Sequence, residues 1–185
     1  MKTILFDFFG VLSTPVYKKV IDTYIPEIDR TKWMKKLDEL DMGNLSEEEL
    51  VLQLATESGA SVDEIRAAVD AAPVRNDELF NFIEHKLRPK YSIGLLTNIP
   101  RSLLERVAKD KFWLFDPLII SSDVKMIKPS AEIFEEAIKR CDVEAQEILF
   151  IDDGEKNIAA AKNAGLSGFI YKDFDSFLID IAPYI

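Results

Sequence analysis

Three carboxylates, a threonine and a lysine carry the chemistry that this chain of 185 residues could perform. Asp7 ends the apolar run Ile4-Leu5-Phe6, and Asp152 with Asp153 ends a second run, Ile148 to Ile151. Thr97 and Asn98 close a third, Ser92 to Leu96, while Lys128 stands in a loop just ahead of a helical stretch. Carboxylates brought together repel one another unless cations offset them. Lys128 can offset one charge and a hard divalent cation with oxygen ligands the others, which makes Mg²⁺ the natural cofactor.

These residues can meet only if the runs they terminate are neighbouring strands. An uninterrupted apolar run reads as a strand covered on both faces, and Gly10 gives the chain the freedom to turn sharply after Asp7. In an open parallel sheet ligands bind at the carboxyl ends of the strands. Asp7, Thr97 and Asp152, far apart in the chain, then share one crevice. From Tyr91 onward strand and helix alternate: strands at Ser92–Leu96, Leu118–Ile120, Ile148–Ile151 and Gly168–Tyr171, with helices between them and a terminal helix through Phe177, Leu178 and Ile181. The expected fold is α/β, a doubly wound, mostly parallel, Rossmann-like sheet.

Between the first strand and Tyr91 the period is helical throughout. Thr14 and Pro15 read as cap and first helical residue before Val16, Val20, Ile21, Tyr24 and Ile25. A second helix carries Trp33, Leu37 and Leu40, and Ser46 with Glu49 and Ser61 with Glu64 have the spacing of capping boxes that open a third and a fourth. A fifth, through Leu79, Phe80, Ile83 and Leu87, leads back to the core. The expected division is an α/β core of residues 1–13 and 76–185 and an all-helical cap of residues 14–75 inserted after the first strand.

Composition narrows the function classes. An apolar fraction of 48% is enough for one core domain with a modest elaboration. A net charge of −10 disfavours nucleic acid and anionic membrane surfaces as partners, yet a small phosphorylated metabolite can bind in a locally positive pocket. No apolar run approaches the roughly 20 residues of a membrane span, and the start lacks a signal peptide's features, so no membrane association is expected. The one cysteine, Cys141, forms no intrachain disulfide and suits a cytoplasmic location; it reads as packing. The one histidine, His85, reads as a surface residue. The oligomeric state is left open.

Four motifs in fixed order resemble the haloacid dehalogenase superfamily, the aspartate-nucleophile phosphatases and hydrolases. They are Asp7-Phe8-Phe9-Gly10-Val11-Leu12, Leu95-Leu96-Thr97-Asn98, Lys128-Pro129, and Phe150-Ile151-Asp152-Asp153-Gly154 with Asn157 and a later Ala164-Gly165. The resemblance implies a small helical cap that closes over the crevice. It also implies that Asp7 attacks phosphorus to give an aspartyl-phosphate that water hydrolyses. Mg²⁺ would be held by Asp7, the Phe9 carbonyl and Asp153, supported by Asp152. Thr97 and the Asn98 backbone N–H would bind phosphoryl oxygens, Lys128 would compensate charge, and Asn157 would orient the acidic loop. Phe8, Tyr17 and Tyr24 are candidates for the substrate cleft beneath the cap.

One position departs from the family's phosphatase pattern. Many members carry a second aspartate two residues after the nucleophile, where it exchanges protons with the leaving group; here that residue is Phe9. The reading is therefore a Mg²⁺-dependent phosphomonoester hydrolase whose efficiency is in question. Three alternatives stand beside it: a 2-haloacid dehalogenase, whose halide leaves without a proton, a non-catalytic phosphate-binding or interaction protein, and activity on an unusual activated phosphoryl donor.

Overall fold

In the computed structural model, which describes residues 1–185 apart from the side chain of Ile28, five strands form a single sheet. They are β1 (Thr3–Phe6), β2 (Ser92–Thr97), β3 (Leu118–Ile120), β4 (Ile148–Asp152) and β5 (Ser167–Ile170). All neighbours pair parallel, in the order β3-β2-β1-β4-β5, so β1 is central. Its four residues are all buried because both faces are covered, the condition its unbroken apolar run anticipates.

The pleat divides the core in two. Ile4 and Phe6 face one layer and Leu5 the other, as alternation along a strand requires. On the Leu5 side lie α8 (Ala131–Cys141) and α9 (Glu155–Asn163), through Ile133, Phe134, Ala137, Ile158 and Ala161. On the Phe6 side lie α5 (Asp77–Phe82), α6 (Arg101–Ala108) and α10 (Phe174–Ile181), through Leu79, Phe80, Leu103, Leu104, Phe177 and Ile181. Helices on both faces of a parallel sheet make the fold Rossmann-like and doubly wound.

The helical insertion follows β1. It comprises α1 (Tyr17–Tyr24), α2 (Arg30–Asp41), α3 (Glu47–Ser58) and α4 (Val62–Ala71). Ser46 and Ser61 form capping boxes: each hydroxyl accepts from the backbone N–H three residues on, and Glu49 and Glu64 accept from the serine N–H groups. Trp33, Leu40, Leu50, Leu54 and Ile65 belong to the same apolar cluster as Ile4, Phe6 and Phe8. Each such side chain stabilises by about 1.5–3 kcal/mol relative to exposure, so the insertion is bonded to one sheet face by a common core.

Some boundaries differ from expectation. Helix α1 begins at Tyr17, and Thr14 caps nothing. The Thr14 hydroxyl instead donates to the Ala72 carbonyl and accepts from the Val74 N–H, both at 2.9 Å, while the Thr14 N–H donates to the Val74 carbonyl. Asn76 adds bonds to the carbonyls of Val11 and Leu12. The segments leaving and rejoining the core are thereby stitched side by side. Helix α5 runs on into a π-helical turn over Ile83–Leu87, and a one-turn helix α7 (Ser121–Val124), absent from the sequence reading, follows β3.

Candidate active site

Register delivers the acids to one place. Phe6 pairs with Ile151 on one side and Leu95 on the other, so Asp7 and Asp152 leave adjacent strands at the same level. Asp7, Asp152 and Asp153 each offer a carboxylate oxygen, all within 4.8 Å of one another. Lys128, 1% exposed in its side chain, spans the first two: its ammonium lies 2.8 Å from Asp7 Oδ1 and 2.6 Å from Asp152 Oδ2. Asn98 fixes the lysine loop, its amide donating to the Lys128 carbonyl at 3.0 Å and its Oδ1 accepting from the Lys128 N–H at 2.9 Å.

Two of the three carboxylates are held. The Phe8 N–H donates to Asp7 Oδ1 at 2.7 Å. Asp152, wholly buried, accepts from the Gly154 N–H at 2.7 Å and from the Asn157 amide at 2.9 and 3.1 Å. Asp153 is the exposed member. Gly10 makes room for it: at a φ of +91° the backbone suits glycine, and a Cβ there would fall 2.1 Å from Asp153 Oδ2.

The charge balance fits a cation. Burial pushes the Asp7 carboxyl up to about 7 against the pull of Lys128, with Asp152 adding to the rise. Asp153 is also raised, by burial and then by Asp152. Burial depresses the Lys128 ammonium, but Asp7 and Asp152 outweigh it and hold the group charged. One lysine thus leaves three carboxylates short of positive charge. Three hard oxygen donors with that shortfall form the donor set of a magnesium site.

Thr97, wholly buried at the end of β2, stands near enough to support the acidity of Asp7, yet its hydroxyl makes no hydrogen bond. A buried unpaired hydroxyl is costly, and this one keeps a donor free.

The candidates for the cleft separate. Tyr17, with half-buried Phe9, lines a cavity of about 170 Å³ between the insertion and the 98–103 segment. The Tyr17 hydroxyl is turned to Glu47, to which it donates at 2.8 Å. Phe8 is wholly buried in the core and Tyr24 packs on the same cluster; neither lines that cavity. Cys141 is half-buried, and burial pushes its thiol up to about 11, in keeping with packing. His85 is exposed.

Sequence reasoning missed Asp41, at the last position of α2, which lines the same cavity. A signal was present: a carboxylate in the final turn of a helix opposes the macrodipole. The Asp41 carbonyl accepts from the buried Ser121 hydroxyl at 2.6 Å, and the Lys125 ammonium donates to the carbonyls of Met42 and Gly43. Two residues of the core, on and just after α7, thus clamp the end of α2 over the site.

The functional reading built on Phe9 needs correction. It rests on Phe9 standing where many members carry a second, proton-exchanging aspartate, and so puts the efficiency of hydrolysis in question. The metal-binding cluster is intact, because its further acids, Asp152 and Asp153, arrive from β4 and owe nothing to the side chain at position 9. The arguments from Phe9 toward a dehalogenase or a non-catalytic protein lose their footing with it, since paired acids around a lysine build a cation site.

A parallel Rossmann-like sheet with an acidic cation site at the tip of its central strand and a helical insertion beside it defines an aspartate-centred hydrolase. The chain belongs to the haloacid dehalogenase-like hydrolases, whose family model matches residues 1–165. Among curated relatives, it is 26% identical to the sesquiterpene phosphatase astK of Aspergillus oryzae, over 93% of this chain and 90% of that protein. It is 27% identical to the D-ribitol-5-phosphate phosphatase of Bacteroides thetaiotaomicron, over 91% of both. Among solved structures, a haloacid dehalogenase family enzyme of Bacteroides thetaiotaomicron in complex with magnesium and inorganic phosphate superimposes with a TM-score of 0.77 at 26% identity, over 96% of this chain and 98% of that one. Among the described residues, no helix is long and apolar enough to cross a membrane.

Proposed function

We propose that the chain catalyses Mg²⁺-dependent, phosphatase-type hydrolysis of a small phosphorylated metabolite, with Asp7 as the nucleophile. The observation that carries this reading is the unpaired Thr97 hydroxyl, buried beside Asp7 at the edge of a three-carboxylate cluster. It is a donor for an oxygen-rich group held next to a cation, as a phosphoryl group is. Two relatives named as phosphatases, and a neighbouring structure holding magnesium and phosphate, support it.

In this reading Asp7 attacks phosphorus, the ester oxygen departs, and water hydrolyses the aspartyl-phosphate to restore Asp7. Thr97 and the Asn98 N–H bind phosphoryl oxygens. Lys128 neutralises charge on nucleophile and phosphoryl group together, where the transition state redistributes it. Asp7, Asp153 and the Phe9 carbonyl would hold Mg²⁺, with Asp152 in support and Asn157 orienting Asp152. The ion supplies charge neutralisation at the phosphoryl oxygens. Residues 14–75 act as the cap that selects the leaving group, and the protein works in the cytoplasm.

The relatives are named for a sesquiterpene and a sugar alcohol, so relatedness at this level does not transfer a substrate. The cavity is more informative. Its volume of about 170 Å³ is close to that of the engineered ~150 Å³ cavity that admits benzene, and most of its lining is apolar. It suits a compact, weakly polar organic group. A panel of phosphomonoesters and short 2-haloacids tests the reading. Phosphate release that needs Mg²⁺ and is abolished in Asp7→Asn supports it, and metal-independent halide release defeats it.

A further inference from the structure

The cavity beside the site contains one carboxyl group whose role the reading above leaves unassigned. Asp41 is the only acidic residue among those lining it. Of the other polar groups there, the Tyr17 hydroxyl is bonded to Glu47, the Lys18 ammonium to Asp22, and the Asn98 amide to the Lys128 carbonyl. The Asp41 carboxylate has no hydrogen-bond partner among the described residues, although its backbone is clamped by Ser121 and Lys125. An unpaired carboxyl on a fixed backbone, in a mostly apolar cavity next to a reactive centre, is poised for contact with a ligand.

We propose that Asp41, delivered by the insertion, is the catalytic residue that exchanges a proton with the leaving group. The proposal rests on the phosphatase reading. As Asp7 forms its bond to phosphorus, the bond from phosphorus to the ester oxygen breaks, and that oxygen takes the proton of the Asp41 carboxyl and departs as the alcohol. In the second step water attacks the aspartyl-phosphate, and Asp41, now a carboxylate, accepts the water's proton. Asp7 leaves as a carboxylate, inorganic phosphate is released, and both acids return to their starting state. Burial pushes the Asp41 carboxyl up to about 8, with Asp38 and Asp7 adding to the rise and Lys128 opposing it. Such a group is protonated at neutral pH and able to donate.

The experiment uses the Mg²⁺-loaded enzyme and a ladder of monoesters running from 4-nitrophenyl phosphate to simple alkyl phosphates. With a positioned donor, wild-type kcat/KM changes little along the ladder. In Asp41→Asn it should fall by roughly 10²–10⁴-fold for alkyl esters, the scale of general acid catalysis, and by less than about 10-fold for the nitrophenyl ester, which departs without needing a proton. Asp41→Glu, which keeps the carboxyl, should recover part of the alkyl activity. Equal losses on both ester types, or none, overturn the proposal and leave the phosphatase reading standing. A wild-type rate that drops steeply along the ladder overturns it without any variant, which covers the case of a variant that does not fold. A wild type that releases no phosphate from any ester sinks the phosphatase reading and this proposal with it.

Discussion

Lys128 is the residue on which the site's electrostatics turn, for it sits between two carboxylates with almost no access to water. Replacing it with methionine keeps the bulk and leaves Asp7 and Asp152 buried without their shared cation. Breaking a buried ion pair in this way costs about 3–5 kcal/mol, so Lys128→Met should lose that much in urea denaturation without Mg²⁺. Gly10 makes a different point. In Gly10→Ala the new methyl group overlaps the Asp153 carboxylate and the backbone keeps a φ that alanine resists. Displacing one ligand by this indirect route should weaken Mg²⁺ binding roughly 10–100-fold in calorimetry, the scale seen when the support of a ligand is lost. Asp153→Asn, which alters the ligand itself, should weaken it further.

At the scale of elements, the insertion is latched to the core through Glu47, in the first turn of α3. Its carboxylate accepts from Tyr17 and Ser102 and pairs with Arg106 of α6 at 2.8 Å. Burial works to raise the Glu47 carboxyl, but the hydrogen bonds from Arg106, Ser102 and Tyr17 outweigh it and hold the group below its ordinary value. A depressed carboxylate contributes stability in full above its unfolded pKa and loses it as pH falls through the folded value. Glu47→Gln should therefore destabilise by about 1 kcal/mol at pH 7, a modest figure because Arg106 is partly in water. The gap from wild type should close as the pH drops below about 4.3, the ordinary glutamate value, in thermal melts at several pH values. The latch also shows where sequence reading stops. Strand ends and capping boxes were legible because they depend on residues at most a few positions apart, and so were Asp7, Thr97 and the acid pair at the tips of their strands and Lys128 in the loop ahead of α8. Asp41, Ser121 and the true task of Thr14 were not, because their partners lie some 60 to 80 residues away and only the packed chain brings them together.

Across the whole molecule, the insertion and one face of the sheet form a single apolar cluster, so calorimetry should show one cooperative transition. A ligand that binds only the folded state raises the melting point by mass action. At a concentration 100 times its Kd, Mg²⁺ adds about 2.7 kcal/mol, which for a chain of this length is about 5–10 °C; Asp153→Asn should show little of that rise. The stitch at Thr14 reaches beyond stability. Because Ser13 and Arg75 lie side by side as bridge partners, the sheet sees the intervening helices as a loop whose two ends already touch. A gene could exchange that loop for a shorter or longer one without moving a strand, and the groups of the strand tips would keep their register. The cation site can therefore be inherited with the sheet, while Asp41, and with it the proton exchange proposed above, travels with whatever is threaded between residues 13 and 75.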